Sequence, residues 1–143
     1  DLDLAVSQSK DNAVYYIQYA HARVNRMVDV KAPEKGISFD RSKAADYDAT
    51  LLTLDAETEI LAKLAAYPEI VLRAANSYEP HQVGNYLKEL AALFHGWYNL
   101  DNTRIIDEQN IALSQARLLL SINVQQVLRN GLELLGVSAP ETM

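Results

Sequence analysis

The spacing of apolar residues restricts the fold of this chain more than any other feature, because it repeats every three or four positions in successive segments. Residues 12–28 show it most clearly, in a stripe formed by Val14, Ile17, His21, Val24 and Val28. Positions separated in this way lie on one face of an α-helix. Asp11 or Asn12 is a suitable N-cap, since a short side-chain oxygen can accept from the free amides of the first turn. The sequence therefore predicts an amphipathic first helix.

Four more helices are predicted after the first, over residues 55–66, 68–77, 80–99 and 107–130. Thr53 is a suitable cap for the second helix, and Pro68 and Pro80 suit the first positions of the next two. Gly131 is predicted to end the fifth helix. The fourth helix is apolar on two sides, which is typical of a helix in the middle of a bundle. No strand-like alternation is present, so the predicted fold class is all-α, a bundle of five or six helices.

Residues 29–54 are predicted to be a long loop or irregular segment within a single domain that spans residues 1–143. Pro33, Gly36 and scattered charges interrupt the helical pattern there. A connection of this length is uncommon in a compact domain unless it is partly helical or functional. The sequence leaves both possibilities open.

The charge is distributed unevenly along the chain. Thirteen basic and nineteen acidic residues give a net charge of −6, which argues against nonspecific coating of nucleic acid. Residues 20–45 nevertheless contain six basic and three acidic side chains, a local charge of +3. A confined anionic ligand and an ordinary solvated loop of mixed charge both fit this pattern. The six basic residues are Arg23, Arg26, Lys31, Lys35, Arg41 and Lys43.

The residue content excludes several kinds of site and supports no catalytic one. The chain contains no cysteine, which excludes disulfides, thiolate zinc sites and cysteine nucleophiles. No metal site is predicted from the three histidines, and His21 is interpreted as a core residue. No catalytic triad, phosphate-binding glycine loop or pair of catalytic carboxylates is found. The acidic residues are interpreted as solvated helix faces, and Arg117 as one half of a structural ion pair. No apolar stretch is long enough to span a membrane, and the acidic start does not resemble a signal peptide.

The face of the first helix opposite its apolar stripe carries Tyr16, Tyr19 and Arg23, at positions i, i+3 and i+7. Phenol rings and guanidinium planes are surfaces on which unpaired bases stack, at about 1–3 kcal/mol for each base on an aromatic ring. The alternative is that these tyrosines pack against another helix, with their hydroxyls at its edge. Periodicity alone does not separate the two interpretations.

Three blocks of the sequence match one known family. Residues 11–23, DNAVYYIQYAHAR, closely resemble the helix that opens the C-terminal anticodon-binding domain of arginyl-tRNA synthetases. Residues 80–99, which end in FHGWYN, and residues 127–143, VLRNGLELLGVSAPETM, are similar to the same family. The resemblance covers nearly the whole chain in order. It implies the all-α bundle of the DALR-type domain, with Met143 as the natural C-terminus and a catalytic domain before residue 1.

The resemblance also implies which residues contact RNA. Those that would hold the anticodon bases, carried over by position, are Tyr16, Tyr19, Ala20, Arg23 and Met143. The local positive charge adds three candidate contacts to phosphate, namely Arg26, Lys31 and Lys35.

The predicted function is therefore that of a tRNA anticodon-binding domain, which positions an arginine tRNA for aminoacylation. The domain itself is expected to catalyse nothing and to need no cofactor, whereas the longer synthetase would use ATP and magnesium. Its expected partners are the anticodon stem-loop of an arginine tRNA and the catalytic domain of the same synthetase, with no membrane and no DNA, in the cytoplasm. A helical protein–protein interaction module is the alternative. A helical enzyme of another kind has no nucleophile or metal constellation to support it.

Overall fold

The computed structural model describes residues 12–100 and 104–143, and every regular element within these ranges is helical. Five helices carry the fold, α1 to α5 in chain order: Ala13–Arg26, Asp55–Ala65, Tyr67–Ser77, His81–Tyr98 and Ile111–Leu134. The predicted all-α bundle is confirmed for this part of the chain. Asn12 caps α1, and its side chain accepts from the Val14 N–H at 2.9 Å, whereas Asp11, the other predicted cap, lies outside the described residues. No helix in the described ranges has the length and apolar character needed to cross a lipid bilayer.

Helix α4 lies at the centre of the bundle, as its two apolar sides predict. It packs against α1, α2, α3 and α5. Its fully buried side chains include Leu87, Leu90, Phe94 and Trp97. Because α4 also packs against α1, side chains near the end of α4 can form a site together with side chains of α1.

The first helix was predicted to end near residue 28, but the chain stays helical beyond that point. The chain continues through a π-helical turn, Met27–Lys31, and a further helical turn, Ala32–Glu34. The Ala32 N–H donates to the carbonyl of Met27, five residues earlier, which is the hydrogen bond of a π-helix. Pro33 is compatible with this continuation because it lies in the first turn of the short helical segment, where proline is tolerated.

The rest of the predicted irregular segment is anchored to the core. Ile37 and Leu52 are buried, and the rings of Phe39 and Tyr47 stack with their centroids 4.7 Å apart. Two 3₁₀ turns lie within it, at Arg41–Asp46 and Ala49–Leu51. The segment is thus partly helical, one of the two possibilities that its length suggests.

Helix α2 begins at Asp55 as predicted, but its cap and the start of α5 differ from those predicted. Helix α5 begins at Ile111 rather than residue 107, because the Asn110 side chain accepts from an amide of the first turn at 3.3 Å. Thr53 does not cap α2. The N-cap position is Leu54, whose N–H donates to the Glu57 carboxylate at 3.1 Å. The Glu57 side chain therefore caps the start of the helix, the role that was predicted for Thr53.

Helix α5 runs past Gly131 to Leu134, so the prediction that this glycine ends the helix is wrong. A Cβ at position 131 would lie 2.5 Å from a methyl carbon of Leu87. The glycine instead lets the backbone of α5 approach α4 closely. Gly136 follows the helix with a φ of 72°, the left-handed conformation that commonly terminates helices.

A buried ion pair joins α2 to α5. Glu57 is fully buried, and its Oε2 accepts from Arg117 Nε at 2.8 Å and from the Trp97 indole N–H at 3.2 Å. The structural ion pair predicted for Arg117 is confirmed, whereas the prediction that the acidic residues are solvated is wrong for Glu57. The facing helix decides which acid on α2 becomes buried, and a single-helix pattern does not contain that information.

Candidate nucleic-acid interface

A cavity of about 580 Å³ lies between α1, the end of α4 and the C-terminal tail. Its volume falls within the range of ~300–1,000 Å³ typical of ligand sites. Tyr98 of α4 forms part of its wall. The residues predicted from the sequence that line it are Tyr19, Arg23, Arg26, Lys31 and Met143. We refer to this space as the aromatic cavity.

Arg23 is held in place on both sides within the aromatic cavity. Its guanidinium carbon lies 4.0 Å from the centroid of the Tyr98 ring and 4.8 Å from that of Tyr19. One terminal nitrogen donates to the Tyr19 hydroxyl at 3.1 Å, and the other donates to Nδ1 of His95 at 3.0 Å. Cation–π contacts and hydrogen bonds together fix a charged, planar group at the wall of the cavity.

His95 supports this wall from behind, and neither His95 nor Tyr98 was predicted as a site residue from the sequence. His95 is buried, with its ring centroid 4.8 Å from that of Tyr16 and 5.6 Å from that of Tyr19. Burial lowers the pKa of His95 to about 4, and the charge of Arg23 adds to the effect. The neutral ring accepts from Arg23 at Nδ1, so its proton is on Nε2, which faces the Tyr16 carbonyl at 3.5 Å. No local pattern indicates His95 as a site residue, because the rings that it contacts belong to a helix about 75 positions earlier in the chain.

The two tyrosines on this face of α1 have different surroundings. Tyr16 packs against His95 and does not line the aromatic cavity, whereas Tyr19 packs against the same ring and lines it. Ala20 is fully buried, so it does not line the cavity as its predicted role requires. It lies on the core side of the helix, between Ile17 and Val24, and Ala22 lines the cavity instead.

The three predicted phosphate contacts occupy different places. Arg26 is exposed and Lys31 half-buried, and both line the aromatic cavity. The Lys31 ammonium donates to the Tyr98 hydroxyl at 2.6 Å. Lys35 is exposed and lines a neighbouring cavity together with Arg104. Lys35 therefore shares a cavity with Lys31 but not with Arg26.

The C-terminal tail is fastened to α1, and this brings Met143 to the aromatic cavity. Gln18 donates from Nε2 to the Ser138 carbonyl at 2.9 Å, and His21 donates from Nδ1 to the Pro140 carbonyl at 2.9 Å. His21 is fully buried, as predicted for a core histidine. Burial lowers its pKa, which favours the neutral ring whose Nε2 accepts from Arg129 Nε at 3.3 Å. Met143 beyond these two anchors is 48% exposed, so its side chain is accessible to a ligand.

Comparison with known proteins gives matches along the whole chain. The chain is 74% identical over 143 residues to an arginine–tRNA ligase of Acinetobacter baumannii and 53% identical over 151 residues to one of Psychrobacter sp.. All of this chain is covered in both matches, but only 23% and 24% of the relatives. A solved structure of an arginyl-tRNA synthetase from Campylobacter jejuni matches with a TM-score of 0.78 at 25% identity, covering 99% of this chain and 29% of that one. The chain thus spans about a quarter of the length of the relatives it matches.

The family comparison agrees with these relatives. A model of the DALR anticodon binding domain matches residues 17–143, which include α1 from Ile17 onward, all four later helices and the tail. Every predicted contact residue except Tyr16 falls within that match. The chain therefore belongs to the DALR anticodon-binding domain family.

Proposed function

We propose that this domain binds the anticodon stem-loop of an arginine tRNA, and that loop bases enter the aromatic cavity. The observation that carries the proposal is the convergence of Tyr19, Arg23, Tyr98 and Met143 on one space. These residues come from α1, α4 and the tail. Such a combination of rings, a fixed guanidinium and an apolar side chain suits a base that is not stacked in a duplex.

The arrangement is suited to bases because its stacking surfaces are held before any ligand arrives. Tyr19 contacts the His95 ring, and Arg23 is bonded to both residues. Little side-chain freedom then remains to be lost on binding, which favours affinity. Single-stranded RNA is commonly recognised by stacking on aromatic and arginine side chains with hydrogen bonds to base edges.

The charges around the aromatic cavity suit the attached phosphates. Three basic side chains, Arg23, Arg26 and Lys31, line it together with two acidic ones, so its lining is positive on balance although the whole chain carries a net charge of −6. Attraction of RNA is then confined to one face while the remaining surface repels it, which orients the encounter.

We further propose that aminoacylation belongs to parts of a longer protein, because the relatives are about four times the length of this chain. The domain would position the tRNA for a catalytic domain and need no cofactor itself, while ATP and magnesium would act in that other domain. The expected location is the cytoplasm, and neither DNA nor a membrane is proposed as a partner.

The test is binding of this chain to an arginine-tRNA anticodon stem-loop, measured by fluorescence anisotropy at two salt concentrations. A second stem-loop, identical except for the middle anticodon base, is the matched ligand. We expect clear preference for the first stem-loop at both salt concentrations. Equal and strongly salt-dependent binding would mean that only phosphates are attracted, and would contradict base recognition by this chain.

A helical protein–protein interaction module is the second candidate. It is favoured by an apolar groove of about 390 Å³ between α2 and α5, with Leu61 and Leu119 among its lining residues. Leu61 is 41% exposed. The same stem-loop experiment separates the candidates, because a protein-binding module would bind neither RNA at low salt.

A further inference from the structure

A second cavity, of about 290 Å³, lies beside the aromatic cavity and shares Lys31 and Tyr98 with it. We propose that this second cavity binds the phosphodiester backbone of the RNA strand whose bases occupy the aromatic cavity. The inference rests on the proposed function above. Three cationic side chains line the space, so we refer to it as the cationic groove: Lys31, Lys35 and Arg104.

The charge of the cationic groove is uncompensated in the part of the chain that the structure describes. No acidic residue of that part lines it. Lys35 and Arg104 are exposed, and neither forms an ion pair with a described residue. The buried side chains of Ile105 and Ile106 also line it. Cations beside apolar surface attract an anion more strongly than cations surrounded by water.

The π-helical turn is what directs Lys31 to this place. In a regular α-helix, residue 31 would lie about 140° around the axis from residue 26, at about 100° per residue. The hydrogen bond from Ala32 to the carbonyl of Met27 spans five residues, so the wider turn moves Lys31 closer to the side of the helix that carries Arg26. Both side chains consequently line the aromatic cavity, while Lys31 also borders the cationic groove. π-Helical turns of this kind are frequent at functional sites.

The opposite wall, which carries Arg104, is tied to the protein core. The carbonyl of Arg104 accepts from Nη1 of Arg117 at 2.9 Å, and Nε of the same guanidinium donates to the buried carboxylate of Glu57 at 2.8 Å. A single buried guanidinium thus connects the core ion pair to the backbone at this cation. The side chain of Arg104 takes no part in that bond and remains available to a ligand.

Tyr98 forms the boundary between the two spaces. Its ring faces Arg23 with 4.0 Å from centroid to guanidinium carbon, and its hydroxyl accepts from Lys31 at 2.6 Å. A base stacked in the aromatic cavity would therefore have its linking phosphate beside this boundary. The cations of the cationic groove lie on the far side of it from the aromatic cavity. An RNA strand that passes Tyr98 can therefore place a phosphate in the cationic groove while its base stays in the aromatic cavity.

The experiment compares Arg104→Gln with the unchanged chain in binding to the arginine-tRNA anticodon stem-loop, across a series of salt concentrations. We expect affinity to fall about two- to five-fold at low salt, as for the loss of one exposed charge contact. The slope of log affinity against log salt should become shallower by about 0.7, the value for one phosphate contact on a single strand. Preference for the correct middle anticodon base should not change, because a phosphate contact carries no base information.

The matched control is Lys88→Gln, which removes the same charge from an exposed position on α4 that lines neither cavity. A second measurement replaces loop phosphates one at a time with neutral methylphosphonates. The unchanged chain should lose affinity at one or more linkages, and Arg104→Gln should be insensitive at the same linkages.

The outcomes distinguish this inference from the proposed function. If the unchanged chain binds the stem-loop but Arg104→Gln keeps the same salt slope and the same methylphosphonate sensitivity, the cationic groove does not bind phosphate and only this inference is overturned. If the unchanged chain fails to bind the stem-loop at low salt, the proposed function is overturned and this inference with it. Loss of base preference in Arg104→Gln would likewise reject a purely backbone contact.

Discussion

The Arg23 guanidinium donates a hydrogen bond of 3.0 Å to Nδ1 of His95, and this bond joins α1 to α4 at the wall of the aromatic cavity. Arginine can only donate, so the bond requires an unprotonated Nδ1. Burial provides that state by lowering the pKa of His95 to about 4. The same ring contacts Tyr16 and Tyr19. The hydrogen bond to Arg23 and the contacts with both tyrosines are therefore made by the neutral form of one histidine.

Protonation of His95 should make stability depend on pH. The pKa is about 4 in the folded chain and near 6.5 when unfolded, so the unfolded state binds more protons between these values. The free energy of unfolding should therefore increase as pH rises from 4 to 6.5. The stability that the neutral histidine contributes should be lost as pH falls through the same window. Urea denaturation at several pH values measures it.

The control for this prediction is His95→Gln, whose amide oxygen can still accept from Arg23 but does not titrate. Carboxylates such as Asp40 and Asp48 have lowered pKa values because Ser42 and Thr50 donate to them, so both proteins lose some stability in acid. The unchanged chain should lose more than the variant between pH 6.5 and 4. Parallel curves over that window would show that His95 is not the responsible group.

Removing the ring of Tyr19 should weaken RNA binding while removing only its hydroxyl should not. Tyr19→Ala is expected to cost about 1–3 kcal/mol in affinity for the arginine-tRNA anticodon stem-loop, the contribution of one stacked base. Tyr19→Phe keeps the ring and loses the acceptor for Arg23, so it should cost much less. Anisotropy titrations of both folded variants provide the measurement. Equal losses in the two would point to the hydroxyl and reject stacking on this ring.

Met143 should contribute to binding but not to stability. Its side chain lines the aromatic cavity and is 48% exposed, so Met143→Ala should leave the urea midpoint unchanged. A thioether against an aromatic ring contributes about 0.3–1.5 kcal/mol, and affinity for the stem-loop should fall by that amount. Leu134→Ala is the control, because it trims another exposed apolar side chain that lies outside the aromatic cavity. Equal affinity of the two variants would remove Met143 from the site.

Much of the fold follows from local pattern, because periodicity and caps depend on neighbouring residues. The Asn12 cap, the central position of α4 and the shared face of Tyr19 and Arg23 are all features of this kind. The resemblance to the anticodon-binding family added Met143, which no periodicity relates to α1.

Contacts between elements that are distant along the chain were not predicted from the sequence. The bond from Arg23 to His95 joins residues 72 positions apart, and nothing in either helix alone indicates the partner. Gly131 is a second example. The residues around a glycine do not show whether it ends a helix or permits close packing, because the packing partner, here Leu87, lies on another helix. The π-helical turn was missed because patterns assume a constant period of 3.6 residues, whereas this turn changes the period.

Breaking the ion pair between Glu57 and Arg117 should destabilise the fold strongly. Glu57→Gln keeps the shape of the side chain but leaves the buried guanidinium uncompensated, at an expected cost of about 3–5 kcal/mol. Glu59→Gln removes an exposed charge from the same helix and should stay within about 0.5 kcal/mol of the unchanged chain. Urea denaturation of the three proteins compares them. Similar stability in both variants would mean that the buried pair contributes no more than a surface charge.

Adding one methyl group at Gly131 should also destabilise the bundle, and Gly96 provides a matched comparison. Both glycines lie inside helices, so Ala gains the same helix propensity at each. A Cβ at position 131 would lie 2.5–2.9 Å from three side-chain carbons of Leu87, which is fully buried, whereas one at position 96 meets nothing within 4 Å.

The unfolding free energy of Gly131→Ala should therefore lie about 1–3 kcal/mol below that of Gly96→Ala, the cost of overpacking a core. Leu87→Ala removes the atoms that clash, so adding Gly131→Ala to that background should cost less than it does alone. Urea denaturation of the two single variants and the double variant gives both comparisons. Equal stability of the two glycine variants would mean that α4 and α5 can move apart by the width of a methyl group at no cost in free energy. Close approach of the two helices would then not be the reason for a glycine at position 131.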